Sequence, residues 1–283
     1  TKDYWEQIIG VWLLEFLIVA YEKFLIVKRL IDSNNTIAYK IFDSEEAPSN
    51  SVSASNQMNN HKCNNQLFCY FIEKLKKKIV IKKLANKSNT YNKKIMKELS
   101  FKAFLKQKII RCISAMSMLL RKKDEIFILT SYLSFFDELY LQLKVNKLLK
   151  FNTTKTFTPV LKNTTARAIN FNHKNNKNFS QLIRPLMMQF MPKSFLEDYK
   201  ELVEFSRKLP WKNNPKKIFT SVNNLYDDTF KIWCAENKRK HKTKLLFCCH
   251  GGGFQTQIYS TQNYFLNKTC DKILVWGKSR DSN

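Results

Sequence analysis

The tripeptide Gly251-Gly252-Gly253, preceded by His250, is the part of this sequence best suited to chemistry. It holds three of only five glycines in 283 residues, so the cluster indicates a requirement of the backbone. The apolar run before it predicts a buried strand. A glycine turn lets the backbone approach a ligand closely, and a helix after the turn would favour a phosphate. Residues 245–256 are therefore the candidate ligand site.

Several side chains near this turn could take part. His250 could contact a phosphate or act as general base on an acceptor hydroxyl, or it could fix the turn through a backbone hydrogen bond. The hydroxyls of Thr256, Thr220 and Ser221 could donate to phosphate oxygens, although hydroxyls more commonly cap helices. Asp227 and Asp228 are interpreted as helix-capping groups and not as catalytic carboxylates.

The second half of the chain alternates strands and helices. Strands are predicted at Lys217–Val222, Lys244–Cys249 and Lys272–Trp276, and a helix at Leu225–Lys238. This order predicts a parallel α/β unit, in which ligands bind beyond the carboxyl ends of the strands. Thr220, Ser221 and the glycine turn all fall at that edge. Before these strands, Ser194 and Glu197 match a capping box that would open a helix through Lys208.

The first half is predicted to be largely helical. A long helix over 4–31 would bury Trp5, Trp12, Phe16 and Phe24, and its charged residues argue against a membrane span. The Ser/Asn-rich stretch 43–66 is predicted to be a linker. The remaining predictions are basic amphipathic helices over 67–84 and 95–122, a strand at Glu125–Thr130, a helix at Leu133–Leu149, and irregular structure over 150–180.

The amino-acid composition gives less information about the function than the motifs do. The net charge of +26 would suit nucleic acid, an anionic membrane or phosphate-bearing substrates, but lysine is enriched everywhere, which indicates codon bias first. The seven cysteines follow no disulfide or metal-binding spacing, so we expect reduced thiols and no metal site. No cofactor is predicted. No secretory signal is recognisable in the sequence.

Three enzyme motifs invite comparison with the glycine turn. His250-Gly251-Gly252-Gly253 matches the oxyanion-hole loop of lipases and esterases, but the chain has no Gly-x-Ser-x-Gly elbow. Neither a dinucleotide fingerprint nor a Walker A loop is present. A truncated esterase and a nucleic-acid-binding basic protein remain as alternative hypotheses.

Several segments in order resemble a family of transferases encoded in O-antigen and other surface-polysaccharide gene clusters. Tyr4–Leu13 is similar to that family's Tyr-Trp-Arg…Gly-Pro-Trp-Leu helix, with Glu6 in place of Arg and Val11 in place of Pro. The other matching segments are Leu209-Pro210-Trp211, Ile218–Ser221, Asp228–Glu236, His250–Gly253 and Val275-Trp276-Gly277. Cys249 and Gln255 depart from the family's residues beside the turn.

The resemblance implies a glycosyltransferase-B-like architecture, with a Rossmann-like parallel sheet in the C-terminal part and a nucleotide-activated donor in its cleft. It implies transfer of a sugar or related group onto a polysaccharide or lipid-linked acceptor, in the cytoplasm or at the inner-membrane surface. For that reaction we expect backbone N–H groups of Gly251–Gly253 to hold the leaving diphosphate, and His250 either to contact the diphosphate or to act as base on the acceptor hydroxyl.

The domain organisation predicted from these patterns has four segments. They are a long helix region over 1–42, a linker over 43–66, a basic helical region with one strand over 67–180, and a truncated nucleotide-binding-like α/β unit over 181–283. The chain begins without Met and stops soon after an apparent strand, so we expect a fragment of a longer protein that lacks both ends.

Overall fold

A computed structural model describes residues 1–33, 38–40, 46–75, 82–84, 126–146, 152–159, 167, 178–211, 214–249, 251, 257 and 259–275. Its helices are α1 (Lys2–Asp32), α2 (Ser51–Met58), α3 (His61–Leu75), α4 (Phe135–Asn146), α5 (Phe179–Phe190), α6 (Tyr199–Arg207), α7 (Asn223–Tyr226), α8 (Asp228–His241) and α9 (Thr261–Thr269). Its strands are β1 (Ala38–Lys40), β2 (Lys82–Leu84), β3 (Ile126–Leu129), β4 (Lys217–Thr220), β5 (Lys244–Cys248) and β6 (Lys272–Leu274).

The chain forms two compact units that are interleaved along the sequence. Unit 1 contains residues 1–11, 92–157 and 202–283, and unit 2 contains residues 12–91 and 158–201. In unit 2, β1 and β2 pair in parallel. In unit 1, a parallel sheet has the strand order β3-β4-β5-β6. The α/β class predicted from the sequence is therefore confirmed.

The sheet of unit 1 is built from short, nearly continuous apolar runs. Strands buried on both faces of a parallel sheet need apolar side chains on each face, which explains runs such as Ile126–Leu129. The register pairs Leu129 with Thr220 and Thr220 with Phe247, so the strands end almost level. The strands predicted at Glu125–Thr130, Lys217–Val222, Lys244–Cys249 and Lys272–Trp276 are found as β3, β4, β5 and β6. β3 and β5 end one residue before the predicted end and β4 two residues before it, and Glu125 and Trp276 lie outside the described residues.

Aromatic residues fill the core on one face of this sheet. Phe127 and Trp233 lie 4.4 Å apart between ring centroids, and Trp211 lies 5.2 Å from Trp233. The indole N–H of Trp211 donates to the carbonyl oxygen of Thr153 over 3.1 Å, so its polar group is satisfied in the core. Trp211 and Trp233, which belong to segments that carry the family resemblance, thus have a packing role.

The first turns of α1 pack against the helices of unit 1. A Cβ atom on Gly10 would lie 3.1 Å from the ring of Phe265, so glycine permits the close approach of α1 to α9. The side-chain amide of Gln7 donates to Asn224, whose own amide donates to the hydroxyl of Thr269 over 3.2 Å. A buried hydrogen-bond network therefore fixes the start of α1.

The core of unit 2 is an aromatic cluster. Trp12 stacks on Phe16 at 5.6 Å, Phe16 contacts Phe190 at 5.6 Å, and Phe24 contacts Phe71 at 5.6 Å. The predicted long helix is confirmed as α1, and the burial of Trp12, Phe16 and Phe24 with it. Trp5 is a correction: it is 43% exposed, although it lies seven and eleven residues before the buried Trp12 and Phe16 and so on the same face of the helix. It lies in the first turn of α1, at the end of the helix.

A single arginine joins two segments of unit 2. The guanidinium of Arg167 forms an ion pair with Glu197, including an Nη2–Oε2 contact of 2.7 Å. It also donates to the carbonyl oxygens of Met188, Gln189 and Met191 at the end of α5. These are carbonyls that a helix C-terminus leaves without intrahelical partners, so Arg167 caps α5.

Two sequence predictions about unit 2 are wrong. The polar stretch 43–66 is not a linker throughout, since α2 and the start of α3 occupy it and bury Ala54, Met58 and Cys63. The capping box of Ser194 and Glu197 does not form: Lys193–Phe195 is a single 3₁₀ turn without a side-chain cap, and α6 begins only at Tyr199. Glu197 pairs with Arg167 instead.

The basic helices predicted over 67–84 and 95–122 are only partly tested. The first ends as α3 at Leu75, and residues 82–84 form β2, so the helix over the whole of 67–84 is wrong. Residues 95–122 lie outside the described part of the chain. Among the described helices, none combines the length and the hydrophobicity that a membrane span requires.

Candidate active site

The carboxyl ends of β3, β4 and β5 lie side by side at one edge of the sheet in unit 1, because these neighbouring strands run parallel. This is the edge at which ligands bind in open α/β sheets. Thr220 and Ser221 lie at the end of β4, and Gly251 follows the end of β5. The structure therefore brings these three predicted residues to one edge.

The turn after β5 needs glycine for its backbone conformation. Gly251 has a φ of +100°, which side-chain-bearing residues rarely adopt, and a Cβ atom there would meet nothing within 4 Å. Just before it, the N–H of Cys249 donates to the carbonyl oxygen of Leu274 over 2.9 Å and extends the pairing of β5 with β6. His250, Gly252, Gly253 and Thr256 lie outside the described residues, and their roles stay predictions.

The helix that follows the glycines in the described chain is α9. It begins at Thr261, where the hydroxyl oxygen of Ser260 accepts a hydrogen bond from the N–H of Asn263 over 3.2 Å. Gln257 and Tyr259 are described and are not helical. The N-terminus of α9 thus comes some residues after the glycine run.

Thr220 anchors a chain of hydrogen bonds that leads from β4 to α8. Its buried hydroxyl donates to Oδ1 of Asn223 over 3.0 Å, and the Asn223 amide donates to Asp227 over 3.0 Å. Asp227 in turn accepts from the N–H of Phe230 over 3.0 Å, as the N-cap of α8. The prediction that Asp227 is a capping group is confirmed.

Ser221 joins the ends of β4 and β3. Its hydroxyl donates to the carbonyl oxygen of Ser131 over 3.0 Å, and its N–H donates to the carbonyl oxygen of Thr130 over 3.0 Å. The hydroxyl protons of Thr220 and Ser221 are therefore both engaged inside the protein, and both residues are fully buried. In this structure the two side chains hold the carboxyl ends of β3 and β4 in place. Their contact with a phosphate stays a prediction.

The turn after β3 is part of this edge, although nothing in the sequence marked it. Thr130 and Tyr132 have φ values of 51° and 57°, in the left-handed region that disfavours both residue types. Glycine and asparagine are the residues that usually adopt such a conformation, and neither occurs in 130–132. Strained backbone of this kind clusters at functional sites.

Burial shifts the pKa values of two titratable groups near the carboxyl ends of the strands. Burial raises the pKa of Asp227, although the hydrogen bonds from Phe230 and Asn223 oppose the shift. Burial also raises the pKa of the Cys248 thiol, against the hydrogen bond with Ser221. Cys248 is thus poorly suited to act as a thiolate nucleophile near neutral pH. Within the described residues, no cluster of His, Cys, Asp and Glu side chains could hold a metal ion.

Comparison with known proteins identifies a family that this chain matches. Residues 1–283 match the model of a family described as the LIC12162 family transferase. No curated protein and no solved structure matches the chain. The family match covers both units and the whole of the candidate site.

Proposed function

The chain belongs to the LIC12162 family of transferases, and we propose on that basis that it moves a sugar or a related group from a nucleotide-activated donor to a polysaccharide precursor. The observation that carries the proposal is the glycine turn at the carboxyl edge of the parallel sheet. Unit 1 is then the Rossmann-like, donor-binding half of a glycosyltransferase-B-like enzyme. The acceptor is a polysaccharide or lipid-linked saccharide of surface-polysaccharide biosynthesis, reached at the inner-membrane surface.

The turn suits the part of the donor that must be stabilised. When the group is transferred, negative charge develops on the departing diphosphate, and backbone N–H groups that point at it lower the barrier. Gly251 has no side chain to keep a phosphate away, and its positive φ turns the chain sharply at the end of β5. Gly252 and Gly253 extend the same side-chain-free backbone.

His250 is the proposed base. It follows Cys249, whose N–H donates to the carbonyl oxygen of Leu274 in β6, and it precedes Gly251, so its place in the chain is beside the proposed diphosphate site. The neutral imidazole of a histidine can accept the proton of an acceptor hydroxyl. Bond formation at the sugar would then accompany release of the nucleoside diphosphate.

The buried hydroxyls give the site rigidity in this account. Ser221 ties the ends of β3 and β4 together, and Thr220 ties β4 to the start of α8. A site held within a fraction of an ångström stabilises a transition state better than one that must reorganise. Thr220 and Ser221 are therefore positioning residues, which hold the carboxyl ends of the strands in place.

A transfer assay with the full chain tests this proposal. Release of nucleoside diphosphate from a nucleotide sugar is followed with a lipid-linked saccharide acceptor for the wild type, His250→Ala and His241→Ala. His241 is the matched control, since it is exposed in the last turn of α8. Loss of a general base lowers kcat by about 10²- to 10⁴-fold, so His250→Ala should fall by that factor and His241→Ala should not. Equal activity of the two variants would contradict the role of His250.

A further inference from the structure

The turn that leaves β3 is held in a strained conformation by several hydrogen bonds. The hydroxyl of Ser131 donates to the carboxylate of Glu138 over 2.6 Å and accepts from the N–H of Leu133 over 3.3 Å. Ser221 donates to the carbonyl oxygens of both Ser131 and Thr130. Ser131 is buried, its bonds to Glu138 and Leu133 are partly buried, and its bond from Ser221 is fully buried, so together they hold the turn.

Tyr132 lies in this strained turn and is exposed to solvent. Thr130 and Tyr132 both adopt the left-handed conformation, which persists in such residues only where the surroundings over-determine it. Tyr132 is 62% exposed to solvent, whereas Ser131, the residue before it, is buried. Burial therefore does not explain why a rigid turn places this large aromatic side chain at the surface.

Tyr132 lies at the same edge as the glycine turn. β3 is separated from β5 by β4 alone, and neighbouring strands are about 4.8 Å apart, so the ends of β3 and β5 are roughly 10 Å apart. A nucleotide-activated donor spans a distance of this order between its base and its diphosphate. One donor can therefore reach both the glycine turn and the turn after β3.

We propose that Tyr132 is the stacking platform for the nucleobase of the donor, with the diphosphate at Gly251. This inference rests on the proposed function. Tyrosine suits the task because its flat ring offers a large apolar face with little conformational entropy to lose. Stacking uses the face of the ring and not its hydroxyl, so phenylalanine should replace tyrosine here. The strained turn holds the ring of Tyr132 in position before the donor binds.

Calorimetric titration of the full chain tests the inference. The probes are ADP, CDP, GDP and UDP, followed by the monophosphate of whichever base binds and by inorganic pyrophosphate. Stacking of a base on an aromatic side chain corresponds to a change in Kd of roughly 5- to 150-fold. For Tyr132→Ala we expect that loss with the nucleoside diphosphate and the monophosphate, and unchanged affinity for pyrophosphate. Tyr132→Phe should bind like the wild type.

Two further variants make the result decisive. Tyr132→Asn removes the ring but accepts the left-handed conformation, so it separates loss of stacking from disturbance of the turn. Phe136→Ala is the control, because Phe136 is 77% exposed on α4 and is not assigned to the site. Tyr132→Asn should lose nucleotide affinity as Tyr132→Ala does, and Phe136→Ala should not.

The outcomes distinguish the two proposals. Nucleoside diphosphate binding that is equally tight in the wild type, Tyr132→Ala and Tyr132→Asn would overturn the stacking role and leave the proposed function standing. An equal loss in Phe136→Ala would also overturn it. A wild-type chain that binds none of the nucleoside diphosphates would overturn the proposed function and the stacking role together.

Discussion

The hydroxyl of Ser221 donates a hydrogen bond to the carbonyl oxygen of Ser131 over 3.0 Å and so joins the carboxyl ends of β4 and β3. Both residues are buried, with Ser221 fully inaccessible to solvent and Ser131 3% exposed. The bond crosses from the strand that leads into α7 to the turn that presents Tyr132. It therefore couples the shape of the candidate site to the packing of the sheet.

Removing this hydroxyl should destabilise unit 1. Ser221→Ala leaves the buried carbonyl of Ser131 without this donor, and an unsatisfied buried group costs about 1–3 kcal/mol. Urea unfolding measures the loss. Ser180→Ala is the control, since the hydroxyl of Ser180 makes an exposed bond to Asn178 and its removal should change stability by about 0.5 kcal/mol or less. Similar losses in both variants would contradict the account of the edge.

Asp227 should make stability depend on pH in a defined direction. Its folded-state pKa is raised above the ordinary value because the carboxyl is buried, so the folded chain binds its proton more tightly than the unfolded chain does. The contribution of Asp227 to stability is then greatest at low pH and is lost as pH rises through the unfolded and then the folded pKa.

The variant Asp227→Asn isolates this dependence. Asparagine remains a good N-cap but does not titrate, so the variant should lack the part of the decline in stability that begins near the ordinary aspartate pKa of about 4. The slope is compared and not the absolute stability, since asparagine cannot accept from both Phe230 and Asn223 as aspartate does. Asp227→Ala, which removes the cap, should be less stable by about 1 kcal/mol. Identical slopes in wild type and Asp227→Asn would refute the assignment.

Arg167 should be among the most sensitive positions in unit 2. Arg167→Ala leaves Glu197, whose side chain is 5% exposed, as a buried charge without this partner. Breaking a buried pair by removing one member costs about 3–5 kcal/mol, and Arg167→Lys should recover only part, because lysine cannot reach several acceptors in a fork. Guanidinium unfolding gives the values.

The control for Arg167 is an exposed ion pair. Arg239 pairs with Glu236 at 3.0 Å, and its side chain is 48% exposed, so Arg239→Ala should cost at most about 1 kcal/mol. A loss for Arg167→Ala no larger than that for Arg239→Ala would show that Arg167 is not the cap that the structure indicates.

The sequence predicted the elements whose causes are local. β4 and β5 follow from short apolar runs, and the N-cap role of Asp227 follows from its place before an apolar helix. Gly251 was found because glycine is rare in this chain and only a backbone requirement explains its clustering.

The predictions that failed depended on distant partners. Glu197 matched a capping box, but its guanidinium partner lies 30 residues earlier in the chain, and no local pattern shows that pairing. The Ser/Asn-rich stretch became α2 and part of α3 because sparse apolar residues such as Met58 and Cys63 are buried. α5 was not predicted, and it contains Pro185, which interrupts helical patterns.

The strained turn at Thr130 and Tyr132 shows a different limit. Steric preference argues against left-handed backbone at both residues, and bonds to Ser221, some 90 residues further on, help to hold it in place. A strained turn has a backbone conformation that its own residue types disfavour. Residue preferences within the turn therefore cannot predict it.

We propose that the carboxyl edge of the sheet in unit 1 binds a nucleotide-activated donor. Thermal unfolding of the full chain with a panel of nucleotides and nucleotide sugars tests it most directly, for the wild type, Gly251→Ala and His250→Ala. A ligand present at about 100 times its Kd stabilises the native state by about 2.7 kcal/mol. We expect one nucleotide class to raise the Tm of the wild type, with the shift reduced in both variants. No shift with any nucleotide, or a shift that Gly251→Ala retains in full, would contradict the claim.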